Sequence, residues 1–494
     1  MVRDIVSASL FGTTRVWDAF VFAFMIPNLL RRLVSEGALS SIFVPLYAEV
    51  KEKQGEQEAE LFARQVGSLF LIAALSLCVI FYSLISVFHL FFVFPPKWLF
   101  AIQFLSILFP YVVFILLVSV GIGVLYSDKS FLFPALSPIL MNVVWIIAVL
   151  IVCPFLSKDL LIQGRILCVA VVFSGFIQGL LIWFPLRGRG HSFKLILKGW
   201  IEPTKKYMQW LIPAVLGISV LHINLWADFV FGFFLQEGMT SSLWYASRLM
   251  LFPMSIFTLG LSTVLLPEYA QSATKKDYKQ LGDTLSFSLR MMSVIIIPAS
   301  VGLILLAYPI IKVIFERGEF TDVSTAQTQL ILCGYSLGLF FFSCTQVLVG
   351  AFLGMKDIKT PLRVGLLCIG VHLFLNYFFL NAWGTLGLAL STSLCGFLNF
   401  VLLFLAIRKR IEGLQLSVII NVFFKVGVVS LLMGVFVYWI YDMFKIQLWG
   451  TLILNELTHL FSIILMAVFF YFILCFLFRI HEVRSVWKWI LKKK

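Results

Sequence analysis

Four arginines stand inside apolar runs of this 494-residue chain: Arg3 in "MVRDIVSASLFG", the adjacent Arg31 and Arg32 in "IPNLLRRLVSEG", and Arg248 in "SSLWYASRLMLFP". A charge at the centre of a bilayer helix costs roughly 2.5 kcal/mol or more, so each guanidinium must meet a carboxylate, water or an anionic ligand. Arg3 is followed by Asp4, and Arg32 has Glu36 one turn on, along the same helical face. Arg31 points about 100° away from that face, with no carboxylate three or four residues to either side. It should face a water-filled cavity or an anionic ligand. A planar guanidinium forks onto carboxylate and, above all, phosphate. Convergence of Arg3, Arg31 and Arg248 on one site therefore predicts an anionic, phosphorylated substrate.

Other polar groups in apolar surroundings are few. Asp18 begins the long apolar stretch that contains Arg31, where it can cap a helix or serve the site. Asp228, in "INLWADFVFGF", is a lone carboxylate; with Asn376 and Thr392 it forms an oxygen set for a sodium ion or a coupling proton, or else a hydrogen-bonded packing cluster. His372, one turn before Asn376, is expected to satisfy a core hydrogen bond. Arg290 and Lys425 lie near helix ends and read as snorkelling anchors. The eight cysteines form no CxxC pair and read as small core residues, not metal ligands.

The elements that must position these residues are membrane helices. The chain is 61% hydrophobic and 13% charged, with 52 phenylalanines, more apolar surface than a soluble fold can hide. Apolar stretches of about 20 residues fall at 17–48, 66–94, 98–126, 131–153 and 160–184, then at 208–235, 241–268, 284–315, 325–354, 360–382, 384–407, 417–441 and 452–479. With a half-length segment at 1–11, too short to span and read as a helix whose beginning is clipped, the count is about fourteen. "MVRDIVSASLFG" lacks the h-region and cleavage site of a signal peptide. Pro27 and Pro45 can bend the second span.

Most Lys and Arg fall in alternate loops, beginning with "EVKEKQGEQEAELFARQ", and in the C-terminal tail. The positive-inside rule then puts both termini in the cytoplasm and accounts for the net charge of +14 without nucleic acid. The tail "EVRSVWKWILKKK" is either a basic amphipathic surface helix or a solvated segment. "LSSIFVPLYA" at 39–48 returns as "LSTVLLPEYA" at 261–270, and "VGIGVLYSDKS" at 120–130 has an echo in "VGAFLGMKDIK" at 349–359. Two echoes at nearly one offset predict two parallel six-span lobes. The expected divisions are an N-lobe at 1–184, a cytoplasmic linker at 185–207, a C-lobe at 208–410, and two extra spans with the tail at 411–494.

"WDAFVFAFMIPNLLRRLVSEGALSSIFVPLYAE", "WYASRLMLFPMSIFTLGLSTVLLPEYAQ" and "GMKDIKTPLRVG" resemble the motifs of the MurJ (MviN) family of lipid II flippases, relatives of MATE drug exporters within the MOP superfamily. The resemblance implies an all-α polytopic membrane protein of about 14 transmembrane helices. Two MATE-like lobes would enclose a cationic cavity, and two C-terminal helices would form a groove for the polyprenyl tail. It places the family's substrate-binding residues on Arg3, Asp4, Asp18, Asn28, Arg31 and Arg248, and the sodium site of some members on Asp228, Asn376 and Thr392. Two departures stand out: the segment preceding Arg3 in the family is absent, and Ser247 stands where many members have an acid.

The function implied is translocation of lipid II, an undecaprenyl-diphosphate-linked disaccharide peptide, across the bacterial inner membrane by alternating access, for cell wall synthesis. The expected protein is a monomer among membrane lipids, with no cofactor beyond a sodium ion and with the membrane potential as drive. The alternative is a related exporter of another polyprenyl-linked oligosaccharide or of a drug; a drug exporter should carry acidic cavity residues and twelve spans. A membrane-embedded enzyme would need carboxylate or metal chemistry on a sizeable loop, and these loops are short. No GxxxxGK[ST] stretch is present, which argues against direct use of ATP.

Overall fold

The computed structural model describes residues 1–32, 42–91, 94–189, 191, 194–196, 199–218, 220–448, 453–480 and 482. All regular structure among them is helical, as it must be where lipid leaves backbone polar groups no partner outside the helix. Glu36 and nearly all of the C-terminal tail lie outside the described residues. By compactness the chain divides into Met1–Ser241 and Ser242–Lys494. The division expected from the repeat falls earlier, at 185–207.

The first unit contains α1 (Val2–Phe11), α2 (Arg15–Arg31), α3 (Val44–Gln54), α4 (Glu56–Phe91), α5 (Pro96–Leu108), α6 (Tyr111–Ser127), α7 (Leu132–Ile147), α8 (Cys153–Leu156), α9 (Leu160–Gly188), α10 (Glu202–Ile218) and α11 (Val220–Phe233). The apolar stretch at 98–126 is not one straight span: Pro110 lies between α5 and α6, which meet at a 41° bend. An aromatic ladder, Phe11, Trp17, Phe20 and Phe24, stacks at centroid separations of 5.1, 4.9 and 5.9 Å. Trp145 of α7 meets Phe20 and Phe24 edge-on. A second core gathers Phe43, Phe62 and Tyr207, joining α3, α4 and α10.

The second unit opens within α12 (Met239–Pro253), whose first residues belong to the first unit, and continues with α13 (Leu259–Thr274), α14 (Tyr278–Leu305), α15 (Ala307–Phe315), α16 (Asp322–Gly354), α17 (Lys359–Arg408), α18 (Leu416–Leu448) and α19 (Ile453–Leu477). The stretch at 284–315 breaks at Leu306 into α14 and α15. The 50-residue α17 would be about 75 Å long if straight, over twice the hydrocarbon thickness. It is broken at Gly384 (φ 58°, ψ −134°), at the boundary read between 360–382 and 384–407. A Cβ at Gly338 would stand 2.7 Å from Ser393 Cα, so glycine there lets α16 lie directly on α17. Eight helices among the described residues are long and apolar enough to cross a membrane, or nine if α5 and α6 form one bent span.

The sequence echo at 120–130 and 349–359 is a helix ending. Ser130 N donates to Leu125 O and Lys129 N to Tyr126 O; Asp357 N donates to Phe352 O and Lys356 N to Leu353 O. The same pair of bonds closes α13 at Lys276 and α19 at Arg479, and all four residues have φ between 54° and 59°. Glycine usually fills this left-handed position. Here a cation does, set against the negative end of the helix dipole. Asp357, in the loop after α16, would be raised by burial, but donors from Thr360 and Arg410 outweigh this and hold its carboxyl below the ordinary value.

The linker is strapped to α4 by a buried amide. Gln65 Nε2 donates to Gly199 O at 2.9 Å, while its Oε1 accepts from Ile201 N at 3.1 Å and Thr204 Oγ1 at 2.7 Å. Ser68 Oγ accepts from Ile196 N at 2.9 Å. Gln65→Leu strands these partners and is expected to cost about 1–3 kcal/mol. Limited trypsinolysis after Lys194 should accelerate in that variant; an unchanged cleavage rate would mean that other contacts hold the linker.

Candidate functional site

Arg3 is held at two points, one of them itself anchored. Its Nη2 donates to Asp4 Oδ1 at 2.9 Å, its guanidinium lies 4.6 Å from the Trp145 ring centroid, and Trp145 Nε1 in turn donates to Ser7 Oγ at 2.9 Å. The short α1 is thereby fixed on α7, and Arg3 stays oriented by a carboxylate and an aromatic face. Arg31, at the end of α2, donates from Nε and Nη2 to Asn28 Oδ1 at 3.4 and 3.3 Å, both longer than a well-formed N–H···O bond. The buried hydroxyl of Tyr111, at the start of α6, donates to Met141 Sδ at 3.2 Å. Arg3 and Arg31, with Asp4 and Asn28, both belong to the first unit, on α1 and α2.

Arg32 does something the sequence did not disclose. Its Nη1 lies 3.0 Å from His222 Nδ1 of α11, and Glu36, its expected partner, is outside the described residues. Arg290, read as a snorkelling anchor, instead forms an ion pair with Glu482 at 3.3 Å, the carboxylate side chain being 6% exposed. Arg248 belongs to the second unit, where its guanidinium covers the Trp244 ring at 3.9 Å, one turn back on α12. Ser247 beside it donates to Trp244 O at 2.7 Å.

Of the three residues read as an oxygen set, Asp228 is fully buried in the first unit, and Asn376 and Thr392 are fully buried in α17 of the second. Thr392 Oγ1 lies 3.0 Å from His372 Nε2, the core hydrogen bond expected of that histidine, and Asn376 Oδ1 accepts from Ser391 Oγ. Each of these two side chains thus has a hydrogen-bond partner within α17. Among the described residues no group of three His, Cys, Asp or Glu could hold a metal ion.

Asp18 is engaged on every side. Thr14, not Asp18, caps its own helix, accepting from Trp17 N. Asp18 accepts from Gly238 N at 2.8 Å and from Ser241 N and Oγ at 2.8 and 2.6 Å, and pairs with Lys97 Nζ at 3.2 Å. It is the cap of α12, supplied from α2. A Cβ at Gly238, where φ is +84°, would stand 2.9 Å from Thr13 O, so glycine allows this close approach. Breaking such a buried pair typically costs about 3–5 kcal/mol. Asp18→Ala is therefore expected to lower the thermal unfolding midpoint in detergent, and Lys97→Met in that background to recover part of the loss. An Asp18→Ala protein with unchanged stability would refute the capping role.

With this geometry in hand, the chain can be compared with known proteins. The family model described as Lipid II flippase MurJ matches residues 7–459. A probable lipid II flippase MurJ of Buchnera aphidicola subsp. Acyrthosiphon pisum (strain APS) is 33% identical over 470 residues, covering 93% of this chain and 90% of the relative. The lipid II flippase MurJ of Burkholderia cenocepacia is 32% identical over 423 residues, 83% of this chain and 80% of its own length. Among solved structures, a lipid II flippase MurJ in an inward closed conformation superposes with a TM-score of 0.78 at 27% identity, covering 97% of this chain and 95% of that one. An inward-facing MATE family transporter of the MOP superfamily, at 16% identity, 84% and 94% coverage and a TM-score of 0.68, shares the fold. On the family match and these identities together, the chain belongs to the MurJ family of lipid II flippases.

Proposed function

We propose that this protein translocates lipid II from the inner to the outer leaflet of the bacterial inner membrane, and that Arg3, Arg31 and Arg248 contact the diphosphate and peptide carboxylates during the cycle. The observation that carries the reading is the pairing of family membership with oriented guanidinium groups at helix positions where lipid alone would not tolerate them. Asp4 and Trp145 keep Arg3 in one orientation, and Asn28 restrains Arg31. Asp18 acts by capping the first turn of α12. In this reading α18 and α19 take the polyprenyl tail, the chain works as a monomer, and its spans number about fourteen.

Orientation follows from the charges: both termini lie in the cytoplasm. The four cation-closed helix ends at Lys129, Lys276, Lys356 and Arg479 all fall on the side the positive-inside rule assigns to it. The drive is the membrane potential. Each unit charge crossing 100 mV gains about 2.3 kcal/mol, and an inside-negative potential favours outward movement of an anionic lipid. The engagement of Asn376 and Thr392 by Ser391 and His372 supports this over sodium coupling.

Arg31→Ala should abolish appearance of lipid II in the outer leaflet of depleted cells while the variant still inserts at normal levels. Wild-type transport by that variant would remove Arg31 from the substrate path. Dissipating the potential in inside-negative vesicles should slow flipping severalfold, while replacing sodium by potassium at constant potential should leave the rate unchanged. The opposite pattern would establish sodium as the coupling ion.

A further inference from the structure

Away from the arginines, the first unit has a groove of about 460 Å³, lined by α4, α6 and α9, within the range of small-molecule pockets, about 300–1,000 Å³. It exists because α4 and α9 both pack on α6 while glycine at position 179 leaves the space above that helix open. A Cβ at Gly179 would have no heavy atom within 4 Å, whereas one at Gly121, on the groove floor, would strike Ile182 at 2.5 Å. Along α6 the lining runs from Val124 to Phe114, about 15 Å. The walls are apolar, with Phe114 on one side and Trp183 on another.

Only one end is polar. There, near the basic-loop ends of the three helices, Glu60, Arg64 and His191 join the lining. Arg64 Nη2 donates to Glu60 Oε1 at 2.5 Å, and both side chains keep a little over a fifth of their surface exposed, 23% and 22%. His191 is held 3.5 Å from Asp128, which also pairs with Lys51 at 2.9 Å. A trough the length of part of an acyl chain, closed at its membrane-surface end by one guanidinium and one carboxylate, matches a lipid whose headgroup carries both a phosphate and a hydrogen-bonding ammonium. A purely anionic headgroup would meet Glu60 unfavourably. A quaternary ammonium could not donate to it.

We propose that this groove is a binding site for an aminophospholipid of the phosphatidylethanolamine class, its acyl chain along α6, its phosphate on Arg64 and its ammonium on Glu60. The site is separate from the arginines assigned to the transported lipid.

Native mass spectrometry of the delipidated full chain, titrated with phosphatidylethanolamine, phosphatidylglycerol and phosphatidylcholine in turn, tests it. Phosphatidylethanolamine is expected to bind with a clear preference, and Gly179→Phe, which fills the open space, to weaken it about tenfold, a change worth about 1.4 kcal/mol. Glu60→Gln keeps the groove's shape and should erase the preference over phosphatidylcholine while leaving phospholipid binding in place, which guards against a Gly179→Phe protein that fails to fold. Equal retention of the three lipids by the wild type, or unaltered binding by a folded Gly179→Phe protein, would overturn the proposal. So would displacement of the phospholipid by a polyprenyl phosphate at equal concentration, which would give the groove to the transported class instead.

Discussion

The constraint on which the rest of this structure depends is the cost of placing a guanidinium at hydrocarbon depth. Lipid cannot solvate it, so the protein must orient and partly neutralise it without cancelling its capacity to meet an anion. The chain solves this differently at each arginine. Arg3 shares a carboxylate and an indole face, Arg31 leans on a neutral amide at long distance, and Arg248 covers a tryptophan. Arg3 and Arg290 each pair with a carboxylate, Asp4 at 2.9 Å and Glu482 at 3.3 Å.

The helical scaffold serves the same economy. Two polar side chains that cross between elements carry several partners each: Gln65 satisfies three groups of the linker, and Asp18 accepts from three donors at the start of α12 and pairs with Lys97 of α5. In a low-dielectric surrounding such bonds are strong when complete and costly when broken. Two side chains therefore fix, respectively, a linker and the first turn of α12. The bend at Pro110 and the break at Gly384 mark where spans read as continuous or adjacent change direction.

Much of this was legible in the sequence because hydrophobic runs and isolated charges are local signals. The Arg3–Asp4 pair, the apolar stretches, the core hydrogen bond of His372 and the family motifs needed no long-range information. The contacts that escaped were those between residues far apart in the chain. Nothing near Asp18 announces that it caps a helix beginning at Met239, and nothing near Arg32 points to His222. Nothing in the sequence ties Trp145 to Arg3, whose guanidinium lies over its ring. Two of the four cation-closed helix ends, at Lys129 and Lys356, were visible as a sequence echo, since left-handed cations break the glycine habit on which such endings are usually read.

The central claim is that the arginines recognise the diphosphate of a polyprenyl-linked substrate. The most direct test is binding of lipid II to the purified protein, set beside an analogue with the same glycan, peptide and polyprenyl chain joined without the diphosphate. The account predicts tight binding of the first, weak binding of the second, and near-equal weak binding of both once Arg3 and Arg31 are replaced by alanine. Equal affinity of the wild type for the two lipids would contradict it.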